Sequence, residues 1–330
     1  MQHHAPSGES AALISSVQKY TIHDGPGIRT ALFFTGCTLR CLWCSNPEAI
    51  EPRRRFGIYP SKCLTRDKCG ACLRMCANVE KTPLIFDENG AISCINGSKE
   101  CENCLKCADI CPPRAIKVWG AYMTIPEMMS VIAEDRSFYD RTGGGVTLNG
   151  GEVMLQWEIA ETLLSECKNA SIHTCVETAL HCPWEHVEAV FKHTDFIIAD
   201  IKHMDTDKHR EITGAGNELI LENLKKTAAL GKRLVIRTPV VPGYNADEEN
   251  IRKTGEFIRD ELGNIAAYQL LPYRRLGVEK YESLGDAYPM EDYTPPELYE
   301  CEAQLLRFAD MLRCDYGIPA VAGSSEKLEA

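Results

Sequence analysis

Three thiols fall within eight residues in Cys37-Thr38-Leu39-Arg40-Cys41-Leu42-Trp43-Cys44, the spacing C-x3-C-x2-C. An apolar, strand-like run (Ala31-Leu32-Phe33-Phe34) precedes them. Thiols this close on one loop can wrap a metal cluster, and their number matters more than their spacing. A structural zinc or a closed iron–sulfur cubane takes four protein ligands. Three leave one metal corner open for a group that is not protein. Two other readings stand beside this one: unligated structural thiols, and a zinc site completed by a distant fourth ligand.

Two longer cysteine sets follow. Cys63-x5-Cys69-x2-Cys72-x3-Cys76 precedes Cys101-x2-Cys104-x2-Cys107-x3-Cys111-Pro112. The second is the bacterial ferredoxin run, and the first is the same run with a longer opening gap. In two-cluster ferredoxins the fourth cysteine of each run ligates the other cluster. The spacing therefore predicts one cluster on Cys63, Cys69, Cys72 and Cys111 and another on Cys76, Cys101, Cys104 and Cys107. A four-sulfur zinc module is the alternative, although the thiols are packed densely for zinc. Cys94 lies outside both runs and reads as a bystander. So small a segment buries little core, so its clusters should hold it together.

Of the 17 cysteines, 12 lie between Cys37 and Cys111. Cys167, Cys175, Cys182, Cys301 and Cys314 read as ordinary buried or partly buried thiols. The net charge of −11 argues against a nucleic-acid or phosphate-binding surface. No run approaches the ~20 apolar residues of a membrane span. Met1 to Ser10 is polar without a signal-peptide core, so a cytoplasmic monomer with no membrane partner is expected, and disulfides are disfavoured there. His3-His4 reads as part of a tail.

These thiols need elements to position them. After Val118, helix and strand patterns alternate. Thr124-Ile125-Pro126-Glu127 predicts a capped helix start. Strands are expected at Val146–Leu148, Ile172–Val176, Phe196–Ala199, Leu234–Ile236 and Ala267–Leu271. Helices are marked by Leu155, Ile159 and Leu163, by Trp184 to Phe191, by Leu219 to Leu230, by Ile251 to Ile258, and by Leu298 to Leu312. With the strand before Cys37, about six βα units imply a parallel sheet. The expected fold is α/β, a partial (β/α)6 barrel over residues 15–52 and 118–315. A ferredoxin-like iron–sulfur domain is inserted at 53–117, and residues 1–14 and 316–330 are tails. Polar residues end five of these strands: Asn149-Gly150-Gly151-Glu152, Glu177-Thr178, Asp200-Ile201-Lys202, Arg237 and Tyr273-Arg274. Ligands bind at that edge of such sheets, so one shared site is expected. His23-Asp24-Gly25-Pro26-Gly27 is a turn signal, read either as a solvated turn or as a placed active-site Asp24.

Cys37-x3-Cys41-x2-Cys44, with an aromatic before the third cysteine, resembles the radical S-adenosylmethionine superfamily. The run His23 to Arg29, the run Gly143 to Glu152, Asp200-Ile201-Lys202-His203, Arg237 to Pro242, Leu271-Pro272-Tyr273 and Leu276-Gly277 narrow the likeness. Together they are similar to the glycyl-radical-enzyme activating enzymes over about residues 15–315, and the insert resembles that of the larger members. The resemblance implies that Cys37, Cys41 and Cys44 hold a [4Fe–4S] cluster whose open iron is chelated by S-adenosyl-L-methionine. One electron would cleave the cofactor's C–S bond to methionine and a 5′-deoxyadenosyl radical, which would take a hydrogen from one glycine of a partner glycyl radical enzyme. With the insert, three [4Fe–4S] clusters are implied, reduced by a flavodoxin or ferredoxin.

By the same likeness Gly150, Gly151 and Glu152 would face the methionyl amino group. The backbone at Trp43, Cys44 and Ser45 would line the adenine. Asp200, Ile201 and Lys202 would contact the cofactor, and Arg237 its carboxylate. Glu177, Thr178 and Asp200 match a monovalent-cation site, and Asp24 would lie near the incoming glycine. Val153 stands where proline is usual. Arg274 stands where histidine is frequent, within reach of ribose or carboxylate. An arylacetate decarboxylase or a benzylsuccinate-type synthase is the expected partner. The rival functions are a radical enzyme acting on a small molecule, such as a carboxy-deazaguanine synthase, and a ferredoxin-like electron carrier.

Overall fold

The structure, a computed structural model, describes residues 10–76, 82–95 and 104–323. β1 (Ala11–Thr21) and β2 (Arg29–Phe34) form an antiparallel pair. Every residue of β2 is buried, as its apolar run requires of a strand covered on both faces. The chain then leaves this sheet. β3 (Arg55–Ile58) pairs antiparallel with β6 (Ile116–Trp119), and β4 (Leu84–Phe86) pairs with β5 (Ile92–Ile95) between them. Two short helices, Ala71–Met75 and Lys106–Asp109, complete this segment. β7 (Ala121–Thr124) returns to pair with β1.

Strand and helix then alternate through β8 (Gly145–Gly150), β9 (His173–Thr178), β10 (Phe196–Asp200), β11 (Arg233–Val240), β12 (Ala267–Pro272) and β13 (Ala320–Ala322). The sheet order is β13-β12-β11-β10-β9-β8-β2-β1-β7, parallel from β13 to β2 and antiparallel beyond. The fold is mixed α/β. The expected strands and helices are present in the expected alternation. Among the described residues no helix is long and apolar enough to cross a membrane.

Three expectations need correction. Residues 10–14 and 316–323 are not tails. Ala12, Leu13 and Ile14 are buried in β1, and Ile318, Ala320 and Val321 are buried around β13. Both strands are short or mixed in polarity, and their pairing, β1 with β2 and β7, and β13 with β12, places them in the sheet. Second, the helix expected from Leu155 begins at Trp157. Leu155 lies in a 3-10 turn, is 44% exposed, and the inward positions are Ala160, Leu163, Leu164 and Cys167. Third, Cys314 is exposed, whereas Cys167, Cys175, Cys182 and Cys301 are buried.

The capping box forms as expected. Thr124 Oγ1 accepts from the Glu127 backbone N–H, and Glu127 Oε2 accepts from the Thr124 N–H at 2.8 Å. This satisfies two amides that helix geometry leaves unpaired. Thr124→Ala should destabilise the chain by about 1 kcal/mol in chemical denaturation, with the cysteine loop's spectroscopic properties unchanged.

Candidate active site at the C-terminal edge of the sheet

Register decides which strand ends meet. Phe34 lies opposite Gly150, Ala199 opposite Thr178, and Asp200 opposite Arg237. The C-terminal ends of β2 and β8 to β11 therefore share one edge, over which the loop 36–46 folds. Its backbone is tied down on several sides. Cys37 N donates to Ile50 O at 2.9 Å, Arg40 N to Thr213 O at 2.7 Å and Leu42 N to Ile212 O at 3.0 Å. Trp43 is buried beside Tyr244, ring centroids 6.5 Å apart. Between loop and sheet lies a cavity of about 360 Å³.

Cys37, Cys41 and Cys44 all line this cavity. Burial pushes their thiols up to about 12, about 12 and about 11 respectively. They become thiolates only beside a strongly electropositive centre. Among the described residues no three His, Cys, Asp or Glu side chains converge on one point to hold a single ion.

The other expected residues are placed unevenly. Ser45, Gly150 and Gly151 line the cavity. A Cβ on Gly151 would lie 2.2 Å from Gly36 O, so only glycine permits this approach. Glu152 is instead turned away. Fully buried, it accepts from Thr178 Oγ1 at 2.7 Å, Ala179 N at 3.1 Å and Met154 N at 3.2 Å. Ile201 is buried in the main core. Arg274 is exposed and is not among the residues lining the cavity, because the chain turns outward after β12. None of these three residues is among those lining the cavity.

Asp200 and Lys202 line the cavity as an ion pair, Nζ to Oδ2 at 2.9 Å. Burial opposes the Lys202 charge, but Asp200 and the neighbouring Cys41 raise its pKa overall, so the ammonium stands charged beside the thiols. Arg237 is nearly buried. Its Nε donates to Gln269 Oε1 at 2.7 Å, Nη1 to Glu177 Oε1 at 2.9 Å and Nη2 to His23 O at 2.5 Å. Thus Glu177 faces Arg237, Asp200 faces Lys202 and Thr178 faces Glu152. The three residues of the expected monovalent-cation set, Glu177, Thr178 and Asp200, all line the cavity, each with a protein partner.

Asp24 lines the cavity, which favours the placed-residue reading over a solvated turn. Thr147 Oγ1 donates to its backbone carbonyl at 2.6 Å, and Asn149 Nδ2 to its Oδ1 at 3.2 Å. Arg29 has no exposed surface and donates to Pro26 O at 2.9 Å and Thr147 Oγ1 at 2.6 Å. Thr147 and Gln269 were not singled out as site residues; the signal for both was a polar residue inside an otherwise apolar strand. Asn149 and His23 were named only within their motifs.

In the cysteine-rich segment, Cys63, Cys69, Cys72 and Cys111 line one small cavity. Cys76, Cys104 and Cys107 are half-buried nearby in sequence, Cys94 is exposed, and Cys101 lies outside the described residues. Glu152→Gln would set an amide N–H₂ against donors that now meet carboxylate oxygen. It should cost about 1–3 kcal/mol in unfolding free energy, read by chemical denaturation.

Comparison with known proteins gives the relationship. The Radical SAM superfamily model matches residues 102–254. The (2S)-3-sulfopropanediol dehydratase activating enzyme of Klebsiella oxytoca is 45% identical, the match covering 85% of this chain and 87% of that protein. The isethionate sulfite-lyase activating enzyme of Oleidesulfovibrio alaskensis is 40% identical over 86% and 90%. The 4-hydroxyphenylacetate decarboxylase activating enzyme of Clostridioides difficile is 38% identical over 85% and 87%. With three half-buried thiols on a polar sheet edge, and this similar to such enzymes along most of its length, the chain belongs to the glycyl-radical-enzyme activating enzymes of the radical SAM superfamily.

Proposed function

We propose that this chain installs a radical on one glycine of a partner glycyl radical enzyme, using S-adenosylmethionine and a [4Fe–4S] cluster held by Cys37, Cys41 and Cys44. The observation that carries this is one cavity lined by all three thiols, by Asp24 and by the Asp200–Lys202 pair. When bound, the reduced cluster and S-adenosylmethionine supply the electron and the hydrogen-abstracting power. The chain's residues do the rest. Gly150 and Gly151 keep the sheet edge bare for close approach. Lys202 and Arg237 hold positive charge toward a carboxylate, and the loop folded over the strand ends shields a reactive centre from water. Asp24, fixed by Thr147 and Asn149, faces the same space and orients the incoming glycine backbone.

Seven parallel strands, β2 and β8 to β13, the last only three residues long, support the partial-barrel reading. The segment 53–117 is read as a ferredoxin-like insert with two further clusters. The shared lining of Cys63, Cys69, Cys72 and Cys111 supports the crossed pairing, in which the last cysteine of the second run completes the first cluster. In this reading a flavodoxin or ferredoxin delivers electrons to the insert, which passes them inward. The similar proteins named for sulfonate-processing partners match at 45% and 40%, and the one named for a decarboxylase at 38%. The partner is therefore to be sought in both classes.

Anaerobic incubation of the reconstituted chain with each of these three partner enzymes, reductant and S-adenosylmethionine should give the glycyl doublet in electron paramagnetic resonance. Cleavage of S-adenosylmethionine with no doublet from any partner would move the reading to a small-molecule substrate. Cys41→Ala should abolish cleavage altogether, whereas a pure electron carrier would lose little. Cys72→Ala with Cys107→Ala should leave cleavage by a strong chemical reductant but slow it with flavodoxin. An unchanged rate with flavodoxin would sink the relay.

A further inference from the structure

We propose that Lys280 is a positioning residue for S-adenosylmethionine, fixing the Cys44–Asn46 wall of the cavity and tying that wall to the base of the cysteine-rich segment. The proposal rests on the S-adenosylmethionine reading of the cavity and names a residue that shapes it from outside.

Lys280 is not among the residues lining the cavity, but Cys44, Ser45 and Asn46 are. Its ammonium reaches this stretch from the helix Val278–Leu284. Nζ donates to Asn46 Oδ1 at 2.9 Å and to Glu48 Oε1 at 2.7 Å. Asn46 precedes the turn Pro47–Ala49, where an asparagine side chain ordinarily caps the backbone. Here it makes no such cap. Its carbonyl oxygen is turned to Lys280, so the other end of the planar amide is directed away from Lys280. Glu48 is buried, and its second oxygen has no hydrogen-bond partner among the described residues. A buried carboxylate needs a counter-charge, so Glu48 holds Lys280 in place while Lys280 holds Asn46.

The helix also presses on the loop directly. A Cβ on Gly277, the residue before it, would lie 2.6 Å from Cys44 O. On another side, Lys280 Nζ lies 5.7 Å from the ring centre of Trp119 in β6, and Lys117 Nζ 3.2 Å from it. An indole face attracts an ammonium, more so where water is excluded. Trp119 is itself buried against Gly57 of β3, where a Cβ would meet Trp119 Nε1 at 2.6 Å. β3 and β6 pair at the base of the cysteine-rich segment. One ammonium thus joins the loop after the third thiol, the helix and that base. A small displacement of a binding wall is enough to lose a well-placed ligand.

Lys280→Met alone would strand a buried carboxylate and risk unfolding. Lys280→Met combined with Glu48→Leu replaces the pair by apolar side chains of similar size, which is often neutral for stability. Asn46 then loses its anchor while the thermal midpoint holds. Asn46→Ala removes the same contact and leaves the buried pair intact. The reconstituted, oxidised protein is titrated with S-adenosylmethionine by equilibrium dialysis, without reductant or partner. Both variants should raise the dissociation constant about tenfold or more, the loss expected of a charge-assisted hydrogen bond. Iron content, and cleavage at saturating cofactor with a chemical reductant, should change little. Trp119→Leu should raise the constant in the same direction, by about threefold. Unchanged affinity in Asn46→Ala or in a folded double variant overturns the proposal. So does loss of iron in step with affinity, which would make Lys280 a support of the cluster. Unchanged affinity in Trp119→Leu overturns the tie to the cysteine-rich segment. A wild type that binds no S-adenosylmethionine overturns the cofactor reading itself.

Discussion

The site depends on one backbone contact, between the cysteine loop and the Gly150-Gly151-Glu152 turn. Glu152 N donates to Gly36 O at 2.6 Å, and Gly151 N to Phe34 O at 2.9 Å. The bare α-carbon of Gly151 sits against the carbonyls of Gly36 and Ala49. This contact hangs the thiols over the strand ends instead of letting the loop swing outward. Glu152 locks it from beneath, because a fully buried carboxylate must find donors and takes them from Thr178, Ala179 and Met154. Glu152 thereby joins β8 to β9 under the cavity floor.

Above that floor the charges are arranged in pairs. Lys202 with Asp200, and Arg237 with Glu177, place two buried cations on the cavity wall, each beside a carboxylate. Pairing lets a cation survive burial, since an isolated one costs several kcal/mol. It also leaves each cation a directed N–H to offer. Three cations of the site, Arg29, Lys202 and Arg237, are more than nine-tenths buried. Arg29 differs in donating to carbonyls and a hydroxyl instead of a carboxylate, so its role is to fasten the 22–28 turn.

The cysteine-rich segment follows another logic. Its apolar centre is small: Ile58, Leu84, Ile92, Ala115 and Ile116, with Cys63, Cys72, Cys107 and Cys111 packed against it. The pair β3–β6 closes it at its base, where Arg55 makes a two-pronged contact with Asp286 at 2.6 and 2.9 Å. A core this slight favours metal clusters as the principal crosslinks. The large sheet, by contrast, is stable through burial on both faces.

Local spacing made the thiol sets legible in the sequence, because a few intervening residues confine cysteines to one neighbourhood in almost any fold. The βα alternation was legible for a similar reason, as each apolar run carries its own period. The glycines of the Gly-Gly-Glu turn were legible at a strand end, whereas the residues alone left Asp24 open between a solvated turn and a placed side chain. Side-chain partners were not legible. Arg237 meets Glu177 across 60 residues and Gln269 across 32. Glu152 meets Thr178 across 26. Which carboxylate faces the cavity and which is consumed below it depends on strand register, and register is set by the whole sheet packing at once. The same holds for β1 and β13, whose mixed or short patterns become strands only beside their neighbours, and for His23, whose place in the cavity lining exists only once β1 and β2 turn their loop across the sheet.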